Sequence, residues 1–73
     1  MCLAIPGKVI DIDSAVALAR IDYNGLAKTA STMLMPEVQA GDYVLVHAGF
    51  IIQIIDEQYG RDLSELTREL GLL

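Results

Sequence analysis

Residues 43–55, with the sequence YVLVHAGFIIQII, contain two short runs of β-branched and aromatic residues on either side of Ala48-Gly49. Each run has the length and composition of a strand, so we predict strands over Tyr43 to His47 and Phe50 to Ile55. Ala48-Gly49 marks a bend or a bulge between them. These residues therefore favour β structure in this half of the chain.

The period of two residues continues toward the N-terminus. We predict strands over Lys8 to Asp13, Val16 to Asp22 and Leu26 to Ser31. Asn24-Gly25 separates the last two, and Asn-Gly is the strongest short hairpin signal. Thr32 to Glu37 is expected to be a loop or a single helical turn. Five short strands spaced by about ten residues predict a mainly β fold, either a small closed barrel or a sandwich.

An extended arm is expected before the first strand. Pro6-Gly7 is typical of a type II turn, because proline presets the φ of one central position and glycine accepts a positive φ at the next. We therefore predict an arm from Cys2 to Ile5 that turns at Pro6-Gly7 into the barrel.

The C-terminal segment changes to the helical period. Asp56 is a plausible N-cap and Gly71 a plausible C-terminal stop. Gly60 is unfavourable in a first turn, so we expect the regular helix to begin only at Asp62. An apolar stripe follows the helical spacing, and we predict that it packs against the barrel, with a partner-binding helix as the alternative; its members are Tyr59, Leu63, Leu66, Leu70 and Leu73.

Length and composition restrict the class of protein. The 73 residues are 53% hydrophobic and predict one domain, with the arm and barrel in 1–55 and the helix in 56–73. A lone cysteine excludes an internal disulfide, and the chain has no signal-peptide pattern and no long apolar run, which predicts a cytoplasmic protein without a membrane span. The net charge of −5 makes nucleic acid an unfavourable partner.

Cys2 is the first candidate for chemistry. A thiolate is a nucleophile and a soft metal ligand, although most free cysteines are small buried hydrophobes. His47, the only histidine of the sequence, is either a hydrogen-bonded structural residue or a neighbour of Cys2. One cysteine and one histidine cannot form a closed four-ligand site. Cys2 can therefore hold a metal only if another molecule supplies further ligands, which indicates a carrier or an assembly partner.

Two motifs identify a family resemblance. Met1-Cys2-Leu3-Ala4-Ile5-Pro6-Gly7-Lys8-Val9 and the run from Gly41 to Phe50, GDYVLVHAGF, resemble the HypC/HupF family of hydrogenase assembly chaperones. The resemblance implies an OB-like β-barrel of about five strands with a C-terminal α-helix. It also implies an accessory role in [NiFe]-hydrogenase maturation without turnover chemistry.

The resemblance further implies the partners and the cargo. The expected partners are a HypD-type iron-sulfur scaffold protein and the hydrogenase large-subunit precursor. No permanent cofactor is implied; iron with cyanide and carbon monoxide ligands is held transiently and shared with a partner, with Cys2 as the metal ligand. The residues expected to bind the partner are Cys2, Leu3, Ile5, Pro6, Gly7, His47, Gly49 and Phe50.

The residues by themselves leave two other functions open. A Cys/His thiol redox enzyme or sensor would need a depressed Cys2 pKa, which the pH dependence of alkylation measures. An oligonucleotide-binding OB module would need aromatic residues on a basic groove, and this acidic chain has three tyrosines and one phenylalanine.

Overall fold

A closed five-stranded barrel with one helix is formed by residues 4–71, the part of the chain that the computed structural model describes. The spatial strand order is β1-β2-β3-β5-β4. This confirms the prediction of a mainly β, OB-like barrel with a C-terminal helix. The elements are β1 (Ile5–Asp13), β2 (Leu18–Tyr23), β3 (Leu26–Ser31), β4 (Tyr43–His47), β5 (Phe50–Ile55) and α1 (Glu57–Glu69).

The core lies inside the barrel, where alternate residues of each strand point inward. Val9, Ile21, Val44 and Ile51 are almost completely buried. Val38, from the loop between β3 and β4, is buried with them, and this loop also pairs with β1 through the Gly41 N–H, which donates to the Val9 carbonyl at 2.8 Å. The buried residues therefore follow the period of two that the sequence predicted for the strands.

The two-residue turns follow the local sequence. Asn24 and Gly25 both have positive φ, 53° and 100°, as the turn favoured by Asn-Gly requires. Ala48 and Gly49 also have positive φ, 52° and 82°, and reverse the chain between β4 and β5. The register irregularity of this hairpin lies between Leu45 and Val46, within the strands.

The turn predicted at Pro6-Gly7 is wrong. β1 begins at Ile5 and runs through both residues, with Pro6 opposite Leu45, and Gly7 does not have a positive φ. The glycine is needed for a different reason: a Cβ at Gly7 would collide with the Ile21 side chain inside the barrel. Gly7 therefore allows close approach of a side chain to the β1 backbone.

The predicted start of the helix at Asp62 is also wrong. Helix α1 begins at Glu57, and the Asp56 carboxylate caps it by accepting from the Gln58 N–H at 3.4 Å. Gly60 is buried in the first turns of the helix. A Cβ there would collide with the Cβ and ring of Tyr43, so the close approach of helix and barrel requires glycine at this position. The C-terminal stop is confirmed, since Gly71 has a φ of 71° after the helix.

The helix packs on the barrel through a different face from the one predicted. Its buried residues are Gly60 and Thr67, and the Asn24 side-chain amide donates to the Ser64 carbonyl at 2.9 Å. Small residues let the helix backbone approach the barrel closely. Three members of the predicted apolar stripe instead face solvent, with exposed fractions of 56% for Tyr59, 49% for Leu66 and 63% for Leu70. Leu63 is half-buried, and Leu73 lies outside the described residues.

No helix within residues 4–71 combines the length and the apolar character that crossing a lipid bilayer requires.

Candidate functional site

Four of the sequence-predicted site residues meet at one end of the barrel. Ile5, the first residue of β1, lies opposite Val46, and His47, the last residue of β4, lies opposite Phe50. Gly49 is in the turn between β4 and β5. We call this region, defined by Ile5, His47, Gly49 and Phe50, the arm end of the barrel, because β1, the strand that follows the predicted arm in the sequence, begins here.

The position of the arm end restricts where the thiol can be. Cys2 and Leu3 lie outside the described residues. Cys2 is three positions before Ile5 in the sequence, and three Cα-to-Cα steps of extended chain span at most about 11 Å. Because Ile5 pairs with the residue before His47, covalent geometry keeps Cys2 within reach of the arm end.

His47 lies on the outer face of β4 and is half-buried. The inward residues of this strand are Val44 and Val46, so His47 shares its face with Tyr43 and Leu45. The imidazole is thus carried by the last residue of β4, next to the residue that pairs with Ile5.

Gly7 faces the interior of the barrel, and Pro6, its neighbour in β1, is buried as well. Both are buried, and Gly7 is in close contact with the side chains of Ile21 and Tyr23. Their packing role is visible in the structure, whereas contact with a partner stays a prediction for both residues. Among the site residues that the structure describes, Phe50 is the accessible apolar one, at 39% exposed, whereas Ile5 is half-buried and packs against the core.

Two exposed apolar residues near Phe50 were missed by the sequence interpretation. Ser31, at the end of β3, lies opposite Phe50, and Met33 and Leu34 follow it in a turn. Met33 is 71% exposed and Leu34 is 60% exposed. Together with Phe50 they give this region an apolar surface. The only sequence signal was an apolar run inside a segment predicted to be a loop.

The carboxylates of the first hairpin have structural roles. Asp11 accepts three hydrogen bonds from the Arg20 guanidinium, at 2.6–3.1 Å, and these hold the Asp11 pKa below its usual range. Asp13 accepts from the Ala15 N–H and Asp22 from the Gly25 N–H, so both stabilise turns. An open groove of about 300 Å³ beside Asp11 and Asp13 contains none of the predicted site residues.

Within the described part of the chain, no three His, Cys, Asp or Glu side chains lie close enough together to hold a metal ion.

Comparison with known proteins decides the family. The model of the HupF/HypC family matches residues 1–67. The chain belongs to the HupF/HypC family. A hydrogenase maturation factor HypC from Synechocystis sp. is 38% identical over 99% of this chain and 100% of its own length. The HypC of Azotobacter chroococcum is 42% identical over 100% of this chain and 86% of its own length. The maturation factor HybG of Escherichia coli is 29% identical over 96% and 92%.

Proposed function

We propose that this member of the HupF/HypC family is a non-enzymatic accessory chaperone of [NiFe]-hydrogenase maturation. Full-length similarity to proteins named hydrogenase maturation factors supports this role. The observation that carries it is the pairing of Ile5 with Val46, which makes the N-terminal arm begin beside His47 and the exposed Phe50. The arm end thus offers a short tether for one thiol and an apolar surface for a partner.

Cys2 is the proposed ligand of the iron cargo. Its thiolate is a soft donor that suits ferrous iron carrying cyanide and carbon monoxide. The sequence contains no second cysteine, so a HypD-type scaffold protein supplies the other thiolate. The iron site therefore exists only in the complex of the two proteins.

Transfer of the cargo needs only ligand exchange. Two cysteine thiols of the hydrogenase large-subunit precursor lose their protons and form new sulfur–iron bonds. The bonds from iron to the Cys2 sulfur and to the scaffold thiolate break, and each released thiolate takes up a proton. Two thiols are consumed and two are released, with no change in the oxidation state of iron. This balance is why the protein can act as a carrier without turnover chemistry.

The direct test of the partners is affinity purification of the full chain from its native host under anoxic conditions, followed by mass spectrometry. We expect a HypD-type scaffold protein and a hydrogenase large-subunit precursor to co-purify in stoichiometric amounts. Recovery of the chain alone, in cells that are making hydrogenase, would contradict the proposal. Turnover of a thiol substrate by the isolated chain would support the redox alternative instead.

Substitution of His47 tests the arm end independently of the thiol. We expect His47→Ala to weaken binding of the scaffold protein by about tenfold, the loss of one interfacial hydrogen bond or ring contact. The melting temperature should stay within a few degrees of wild type, because the ring is on the outer face of β4. Isothermal titration calorimetry and thermal unfolding measure the two effects.

The matched control is Gln39→Ala, an exposed residue of the loop between β3 and β4. Gln39→Ala should change neither the affinity for the scaffold protein nor the melting temperature. A marked loss of thermal stability in His47→Ala with unchanged affinity would show that the histidine is structural.

A further inference from the structure

The first part of the loop between β3 and β4 is held against the barrel. Thr32 and Val38 are buried, and Met35, between them, packs against the core. The Thr32 N–H donates to the Ala17 carbonyl at 2.9 Å. The Met35 N–H donates to the Thr32 carbonyl at 3.1 Å, and the Val38 N–H donates to the Met35 carbonyl at 3.2 Å. Buried side chains and hydrogen bonds therefore fix the position of this loop.

The same loop presents two apolar side chains to solvent. Met33 and Leu34 lie between the inward residues Thr32 and Met35, and both are exposed over more than half of their surface. The Met33 N–H donates to the Ser31 hydroxyl at 3.2 Å, which adds a further bond to this turn. Surface turns are ordinarily rich in Gly, Asn, Asp and Ser. Apolar side chains that a well-held turn leaves in water are typical of a surface that contacts a partner.

The loop is joined directly to the arm end. Ser31 pairs with Phe50, and the Ser31 N–H donates to the Gly49 carbonyl at 2.7 Å. Paired strands are about 5 Å apart, and two residues of chain span at most about 7 Å, so the Cα atoms of Met33 and Phe50 are within about 12 Å of each other. Met33 and Leu34 thus extend the exposed apolar surface that Phe50 begins.

The charged residues of the chain lie outside this region. Ile5, the loop and the β4–β5 hairpin belong to three stretches of sequence, residues 1–7, 29–36 and 43–55. None of the five basic and ten acidic side chains of the chain belongs to these stretches. Lys28 and Glu37 bound the loop stretch on either side. An apolar centre with charges only around it is the usual composition of a protein–protein interface.

We propose that Met33 and Leu34 bind the scaffold protein by inserting into an uncharged apolar pocket beside its iron-binding cysteine. This inference rests on the proposed function, in which the two proteins share one iron. That iron is near the arm end, because the Cα of Cys2 is at most about 11 Å from that of Ile5. Methionine suits such a contact, since its unbranched side chain adapts to the shape of a pocket. Because the contact needs no ion pair, its affinity should depend little on salt.

Substitution of the two loop residues tests the contact. Isothermal titration calorimetry of the full chain with the purified scaffold protein, under anoxic conditions, gives the dissociation constant. We expect Met33→Ser and Leu34→Ser each to raise it by about tenfold or more, because each removes an apolar side chain from a desolvated pocket. The melting temperature should stay within a few degrees of wild type, because both side chains are exposed.

Leu70→Ser is the matched control. Leu70, at the C-terminal end of α1, is 63% exposed, against 60% for Leu34, but it follows two charged residues, Arg68 and Glu69. The same substitution at this place should change the dissociation constant by less than about twofold. An equal loss of affinity in Leu34→Ser and Leu70→Ser would overturn the proposal, because the effect would then not depend on where the apolar side chain lies.

The salt dependence of the wild-type complex tests the uncharged character of the contact without any substitution. Between about 50 and about 500 mM sodium chloride, we expect the dissociation constant to change by less than about threefold, because salt screens charges and leaves apolar contacts intact. An increase of about a hundredfold would show that ion pairs dominate the interface and would contradict the proposed pocket.

Failure of this inference is distinguishable from failure of the proposed function. Binding of the scaffold protein with unchanged affinity in Met33→Ser and Leu34→Ser would overturn the loop contact and leave the proposed function intact. Loss of affinity in these variants for the large-subunit precursor alone would show that the scaffold protein is the wrong occupant. If the wild-type chain did not bind the scaffold protein at all, the proposed function would be wrong and this inference would fall with it.

Discussion

Replacing Cys2 with serine is expected to reduce hydrogenase maturation to background while the barrel remains folded. A serine hydroxyl does not ionise near neutral pH and is a hard oxygen donor, so it cannot replace a soft thiolate on iron. The buried core runs from Val9 to Ile51, and the melting temperature should therefore be unchanged. Hydrogenase activity in cells that carry the variant as their only copy measures the effect.

A relocated thiol provides the control. Ser14 is exposed in the turn between β1 and β2, and Ser14→Cys in the Cys2→Ser background restores one accessible thiol at a different place. We expect no rescue, because the proposed binding site of the scaffold protein is the arm end, and Ser14 is in a different turn. Full maturation with Cys2→Ser or Cys2→Ala would refute the role of Cys2, and rescue by Ser14→Cys would show that position is unimportant.

Gly60→Ala is expected to destabilise the protein even though alanine is the better helix former. The new Cβ would collide with the Cβ and ring of Tyr43, and overpacking of this kind costs typically 1–3 kcal/mol. The higher helix propensity of alanine offsets at most about 1 kcal/mol of this cost. Because the new Cβ would collide with three atoms of Tyr43, the upper half of that range applies, and the net loss is about 1–2 kcal/mol. A loss of this size lowers the melting temperature of a domain this small by roughly 5–15 °C. Thermal unfolding followed by circular dichroism measures the change.

Glu65→Ala is the matched control, because it introduces the same residue at an exposed position of the same helix. It should shift the free energy of unfolding by less than about 0.5 kcal/mol. If Gly60→Ala melted at or above the wild-type temperature, the helix backbone would not approach Tyr43 as the structure shows.

The sequence predicted the strands well because their signals are local. β3, β4 and β5 have the predicted bounds, and Asn24-Gly25 forms the predicted turn. The failures at Gly7 and Gly60 have one physical cause. Each glycine is required by a residue distant in sequence, Ile21 for Gly7 and Tyr43 for Gly60, and no local pattern reveals such an approach.

The helix orientation failed for a related reason. Periodicity identified the stripe that contains Leu66 and Leu70, and burial of the larger apolar face was the expected solution. The helix instead packs on the barrel through the face that contains Gly60 and Thr67, because small residues allow the helix backbone to approach the barrel closely. The sequence could not rank the two faces without the shape of the barrel.

The sequence named the residues of the candidate site but did not predict which of them lie close together in the fold. His47 and Phe50 are neighbours through a hairpin that the local sequence supports, whereas Ile5 joins them only through the pairing of β1 with β4. That pairing is long-range and depends on closure of the barrel. Met33 and Leu34 were missed because apolar residues in a loop have no periodic signal.

Infrared spectroscopy of the complex with the scaffold protein, isolated under strict anoxia, tests the central claim most directly. The account predicts cyanide and carbon monoxide stretching bands, with stoichiometric iron, in the wild-type complex and their loss when Cys2 is replaced by serine. Bands of equal intensity in the Cys2→Ser complex would contradict it, because iron would then be held without the thiolate of this chain.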